Sequence, residues 1–326
     1  MKTAKEPGGL GGRLEQAGNE MRRWMLAVAV AVAALGASAA LANGMSFSGW
    51  SPAQNLETAG AGAADGLNTA ALEGCPSISR DGLTLYFASN RAGGYGGLDI
   101  YTSTRTSTDA PWGEPVSLGP TINTAGNEFC PTPSRDEHAL MFVSNGQPGR
   151  CGAGADIFRS VRSAAGEWST PVDLGCVVNS AADEASPFLC GDQLYFSSTR
   201  SGHSQIYVAP VADGVIVLGP PAVAPGLGSA YNDARPNLRR DCREIVFDSD
   251  RPGGVGGIDL WASTRTGANG TWSTPVDLTN VNSTGNDLRA SLSWDATQLI
   301  FGSNRAGTEG NLDLYVATRD KVPASG

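Results

Sequence analysis

Histidine is nearly missing from this chain: only His138 and His203 occur in 326 residues. Both fall in predicted turns or loops, which excludes a Ser-His-Asp arrangement and a multi-histidine metal centre. His138, beside the hairpin Asp136, reads as a solvated turn residue. No C-x-x-C pair occurs, so zinc-ribbon and thioredoxin readings fall away. Basic charge is scarce as well. Beyond residue 42 the chain carries 18 basic and 29 acidic side chains, a net charge of −11, which is the wrong sign for a nucleic-acid partner. The 284 residues in that part leave room for one sizeable core and no second domain.

The first stretch has its own character. Arg22 and Arg23 precede an apolar run from Trp24 to Leu41 that ends in Ala40-Leu41-Ala42. This predicts a secretory signal peptide over 1–42, with no membrane span after its cleavage. The run is short for a membrane anchor and lacks a basic stop-transfer flank. Met21 sits directly before the arginines, so residues 1–20 also read as a mis-called start. The expected location is periplasmic or secreted.

What remains, 43–320 with a tail at 321–326, repeats one phrase five times. It is an x-[LI]-x-F-x-S strand, a Gly-rich turn and a strand opening on an acid or amide, an aliphatic residue and an aromatic. The copies centre on Phe87, Phe142, Phe196, Phe247 and Phe301. A period near 50 residues built of short strands predicts a propeller or an array. The aliphatic residue and the Phe lie two apart and share a side that must be buried. Stacking identical sheets around an axis buries it. The first hairpin turns are Ser79-Arg80-Asp81-Gly82, Ser134-Arg135-Asp136, Gly191-Asp192, Arg240-Asp241-Cys242 and Trp294-Asp295-Ala296, in which Asp bonds its own backbone. A fourth strand, W-x-x-P-V-x-L, follows at Trp112, Trp168 and Trp272. The third copy lacks it, which predicts a degraded outer edge there. The fifth copy stops short, and the missing piece stands at the other end as Trp50-Ser51-Pro52-Ala53-Gln54-Asn55-Leu56. The fold expected is all-β: a five-bladed propeller of four-stranded antiparallel blades, closed by an N-terminal strand.

Six cysteines, an even number, all lie beyond the leader, where an oxidising compartment lets them pair. Fifteen pairings exist. Repeat register selects Cys75 with Cys130, which precede Pro76 and Pro131 in neighbouring copies; Cys151 with Cys176, in loops on one face; and Cys190 with Cys242, in adjacent hairpin turns on the other face. The alternative leaves some of them as small buried hydrophobes.

The Pro-Ser-Ile-Ser-Arg-Asp-Gly run at 76–82, the Ser-Asn-Arg turns at 89–91 and 303–305, and the Asp-aliphatic-aromatic strands resemble the WD40-like propeller repeats of TolB-type periplasmic proteins. That resemblance implies an envelope binding role. Neither a TolB amino-terminal domain nor a peptidoglycan-binding domain accompanies the repeats.

Two recurrent patterns are candidates for chemistry. N-[ST]-x-x-x-[DE] precedes the inner strands and places Glu73, Glu128, Glu184, Asp233 and Asp287 at equivalent positions near one channel mouth. Such a ring would raise its members' pKa values or recruit a hard cation such as Ca2+; the structural reading has each acid accept backbone N–H bonds in its own loop. No other cofactor is expected. Arg91, Arg200, Arg251 and Arg305 follow the second strands, opposite the Asp99 family, and read as intrablade ion pairs or an anion-binding array. The second copy has Gly146 there, with Arg150 as stand-in. Glycoside hydrolysis in a five-bladed ring needs inequivalent channel acids, whereas every acid found here belongs to the repeat. The expected function is therefore a monomeric, non-catalytic scaffold binding a protein or an envelope component, with glycan hydrolysis or glycan binding as the alternative.

Overall fold

A computed structural model describes residues 46–63, 66–212 and 216–322; the leader expected over 1–42 lies outside them. Residues 47–322 form one compact unit. Five antiparallel sheets, four of them four-stranded and one with an added strand, make up the ring. The inner strands are Glu73–Ile78, Glu128–Pro133, Glu184–Cys190, Asp233–Leu238 and Asp287–Leu292. Each is followed outward by strands two and three and by a two-residue outer strand.

Strand two shows why the sequence stacks this way. In blade one, Leu85 and Phe87 enter a core shared with Ile300 and Leu314 of blade five, whereas Tyr86 enters one shared with Leu140 and Phe142 of blade two. Alternate residues thus feed two different cores, and both faces of every blade are covered. Five such cores close the circle.

The ring is fastened where the termini meet. Gln54–Asn55 pairs with strand three of blade five, Gln54 opposite Val316 and Asn55 opposite Tyr315. Trp50 takes the place of the Trp that opens the outer strand in other copies. Arg319 lies over its ring at 4.2 Å, as Arg105 lies over Trp112 at 4.2 Å. Arg319 also binds Glu244 of blade four at 2.7 Å and 2.8 Å. Lys321–Val322, placed in a tail by the sequence, is a short strand.

Blade three departs from expectation. Its outer edge is intact, because Ala222–Val223 pairs with Tyr207 and Val208. Ladder bonds use main-chain groups, so the missing Trp and Pro do not prevent pairing. An added strand, Ile216–Val217, pairs with Val211 and Ala212, and Val211 and Val217 join the core between blades two and three.

All five inner strands carry the same bulge, two residues after the acid. Its residue is left-handed in every copy: Cys75 (φ 49°), Cys130 (48°), Ser186 (52°), Arg235 (54°) and Arg289 (62°). Pro follows in four of the five, at a point where no ladder N–H is needed.

Candidate functional site

The recurrent acids lie in the seams between blades. All five are fully buried, and none of them lines the three axial cavities described below. Glu73 accepts from the Thr69 backbone N at 2.9 Å, Thr69 Oγ1 at 2.8 Å, Ser89 Oγ at 2.7 Å and Arg91 Nη2 at 3.1 Å. Glu184 repeats this with Ser180, Ser198 and Arg200, and Asp287 with Ser283, Ser303 and Arg305. Asp233 repeats it with Ser229, Ser249 and Arg251. The recurrent arginines therefore pair with the acid ring and not with the Asp99 family; the two motifs are one knot. Each guanidinium also covers an aromatic pair, Arg91 lying 5.2 Å and 5.1 Å from the Phe87 and Tyr101 centroids. Asp99 instead accepts the Tyr95 and Gly96 N–H groups of its own turn.

The motif's Asn has a separate task. Asn123 accepts from Ile100 N at 2.8 Å and donates to Ile100 O at 3.1 Å, imitating a strand residue against the preceding blade. Asn68, Asn179 and Asn282 do likewise. The fourth copy has no such Asn. There Gln205, standing in the Asp99 position, supplies the amide from the other side, bonding Ser229 and Tyr231.

Blade two breaks the pattern. Arg150 does not stand in for the missing arginine, since its Nη1 donates to the carbonyls of Ala153 and Gly154. Gln147 bonds Ile122 O at 3.0 Å, the task Arg305 performs on Val281 O at 2.8 Å. Glu128 keeps only Thr124 and Ser144 as partners. Burial pushes its carboxyl above the usual range.

The three expected disulfides are present: Cys75–Cys130, Cys151–Cys176 and Cys190–Cys242. Among the described residues one group of three metal-type side chains converges, Cys151, Asp156 and Asp173. The Cys151 sulfur is committed to Cys176, so it offers no thiolate.

The axis itself is different. Three cavities succeed one another along it: a funnel of about 760 Å³ at the hairpin face, a waist of about 30 Å³ and a vestibule of about 300 Å³. Ser77, Thr132, Phe188 and Asn237 line both funnel and waist. Cys130, Arg235 and Arg289 line both waist and vestibule. The funnel lip is formed by the residue just before each hairpin Asp: Arg80, Arg135, Gly191, Arg240 and Trp294. The guanidinium carbons of Arg135, Arg80 and Arg240 stand 5.2, 5.3 and 6.0 Å from the Trp294 ring centroid. None of the three has a carboxylate partner among the described residues. Where Gly191 supplies no side chain, the funnel runs outward along blade two to Arg159 and Arg162. Its single carboxylate is Asp136, tied into its own turn by Ser134 Oγ and the His138 N–H.

The waist is built from the bulge residues. Asp248 accepts from Arg235 Nε at 3.2 Å and from the Arg289 backbone N at 3.1 Å. Ser186 Oγ and the Arg289 Nε and Nη1 are buried without a partner. Burial draws the Arg289 guanidinium down to about 10, and it remains charged at neutral pH.

Sequence repetition does not mark Arg80, Arg135, Arg240, Trp294, Arg235 or Arg289 as a site, although the lip is in plain sight. Arg, Arg, Gly, Arg and Trp precede Asp at one repeat position, and a position that varies inside an otherwise regular turn is the signal.

No family model matches the sequence, and no characterised protein matches it. Solved structures do resemble the fold. An α-L-arabinofuranosidase from Lactobacillus brevis aligns with TM-score 0.53 and 13% identity over 80% of this chain and 95% of its own. The α-L-arabinofuranosidase PaAbf62A from Podospora anserina, in complex with cellotriose, aligns with TM-score 0.52 and 13% identity over 86% and 98%. TolB from Acinetobacter baumannii gives 0.44 and 16% over 74% and 53%. At such identities the likeness establishes the fold alone. Fold and site together define a five-bladed β-propeller with a cationic axis.

Proposed function

We propose that the protein is exported, acts as a monomer in the periplasm or outside the cell, and binds a glycan in its axial funnel without cleaving it. The observation that carries this reading is the funnel wall: a ligand-sized cavity whose charged residues are arginines around Trp294, with Asp136 as its one carboxylate. Glycosidic cleavage uses two carboxyl groups flanking the bond. The glycan-directed part draws on the neighbours, which are named as arabinofuranosidases, one of them with cellotriose bound. Three disulfides suit an oxidising compartment. The TolB-like repeat points to the envelope as well.

Hydrolysis is the second reading, favoured by the same neighbours. The axial cavity that holds two carboxylates is the vestibule, with Asp248 and Asp250. Asp248 is engaged by Arg235, and Asp250 by the backbone and side chain of Asn232 at 2.8 Å and 2.7 Å.

The test is a panel of arabinan, xylan and cello-oligosaccharides incubated with the purified chain, with chromatography of products beside affinity electrophoresis. Retardation without product release is the expected result. Product release that disappears in Asp248→Asn or Asp250→Asn would overturn it in favour of hydrolysis.

A further inference from the structure

We propose that the funnel selects an acidic glycan, its carboxylate groups held by the lip arginines Arg80, Arg135 and Arg240; this rests on the glycan-binding reading above. Three guanidiniums gather around one indole, and among the described residues no acid pairs with them. Like charges so placed repel one another, and the indole face offsets only part of that repulsion. A guanidinium drawn to an aromatic ring spends no N–H bond on it, and its N–H groups stay available to grip a carboxylate in two parallel bonds. Trp294 therefore acts as a mount that holds three forks open.

The rest of the cavity agrees. Below the lip, Ser77, Thr132, Asn237 and Ser291 set hydroxyl and amide groups at one repeat position around the wall, as a polyhydroxylated ligand requires. At the floor, Arg289 and Ser186 hold buried donors with no partner among the described residues; Asp248, the carboxylate beside Arg289, is shared with Arg235, and unsatisfied donors on a buried cation favour an anion nearby. The waist, at about 30 Å³, has room for about one water and not for a passing chain. The ligand enters from the hairpin face and stops. That depth suits a short saccharide or a chain end better than a threaded polypeptide. The overall charge is strongly negative, so this positive funnel is a local exception and not part of a general polyanion surface.

The matched probes are trigalacturonate, its fully methyl-esterified form, cellotriose and a hexaglutamate peptide, titrated calorimetrically into the purified full chain. Trigalacturonate is expected to bind about tenfold or more tightly than its ester, and less tightly as salt is raised. Arg135→Gln is expected to remove about tenfold of that affinity and to lower the weaker binding of the ester by much less. Arg80→Gln and Arg240→Gln should behave alike, each checked for an unchanged melting temperature. Equal binding of acid and ester would overturn the carboxylate selection and leave the glycan reading standing. Hexaglutamate binding as tightly as trigalacturonate would overturn the glycan as the occupant. No binding of any saccharide, charged or neutral, would overturn the reading on which the inference rests.

Discussion

The seams between blades and the axis they enclose are drawn from the same inner strand and the turn that follows it, and the two regions obey opposite rules. The first position is a buried carboxylate in every copy, four of the five held by an arginine. The bulge position runs Cys, Cys, Ser, Arg, Arg, and the lip position Arg, Arg, Gly, Arg, Trp. A residue required five times serves the ring. A residue required once serves whatever the ring holds.

The sharpest way to break the seam is to take one member of its ion pair. In Asp287→Ala the Arg305 guanidinium, 15% exposed, loses its only carboxylate, and Ser283 and Ser303 lose their acceptor. Removing one partner of a buried pair costs about 3–5 kcal/mol. Urea unfolding of the variant beside wild type measures it. Next in size is the closure. Trp50→Ala removes the ring between Arg319 and the last blade, at a cost of about 3 kcal/mol or more, read by the same method. Because Trp50 lies outside the repeat it closes, fraying should begin at blade five, where hydrogen exchange will detect it first.

Much of the ring's framework is legible in the sequence. Cys75 and Cys130 share one repeat position, and that register alone selected their pairing. Trp50 matched the outer-strand motif although its Pro is one place early. The rest of the axis is not legible, for two physical reasons. Recurrence is what folding elements produce, so positions that differ from blade to blade, such as the Arg, Arg, Gly, Arg and Trp of the lip, carry no repeat signal. In addition, the bulge inserts an unpaired residue, so period-two alternation from Glu73 or Asp287 no longer tells which side chains face the channel. Which loop residues an arginine meets is likewise set by tertiary contact: Arg91 was placed opposite Asp99 and in fact binds Glu73.

Glu128 sharpens the comparison, because it is the seam acid without an arginine. Its carboxyl is pushed up by burial, so the folded state holds the proton more tightly than the unfolded chain. Its stabilising contribution is thus full below the unfolded value and is lost as pH rises through the folded one. Glu128→Gln should match wild type below the unfolded carboxyl value and gain on it as pH rises through the folded one, read as a difference in melting temperature. Asp287→Asn, which leaves Arg305 without its counter-charge, should fall below wild type at neutral pH. Should both amide variants behave alike, the arginine is not what distinguishes the seams.

The smallest expected effect on stability tests the axis. Arg135 is exposed, and its guanidinium lies over the Trp294 ring with no ion pair among the described residues, so Arg135→Gln breaks no buried ion pair. Surface changes of this kind fall within about 0.5 kcal/mol, and here the sign should be stabilising, since one of three mutually repelling guanidiniums is gone. Urea unfolding measures this change against the large loss expected for Asp287→Ala. A residue whose removal leaves the ring as stable as before, or slightly more so, while ligand affinity falls is one the ring does not need for itself. If Arg135→Gln instead costs as much as a seam variant, the lip is part of the scaffold, and the division between repeated and unrepeated positions does not separate fold from function.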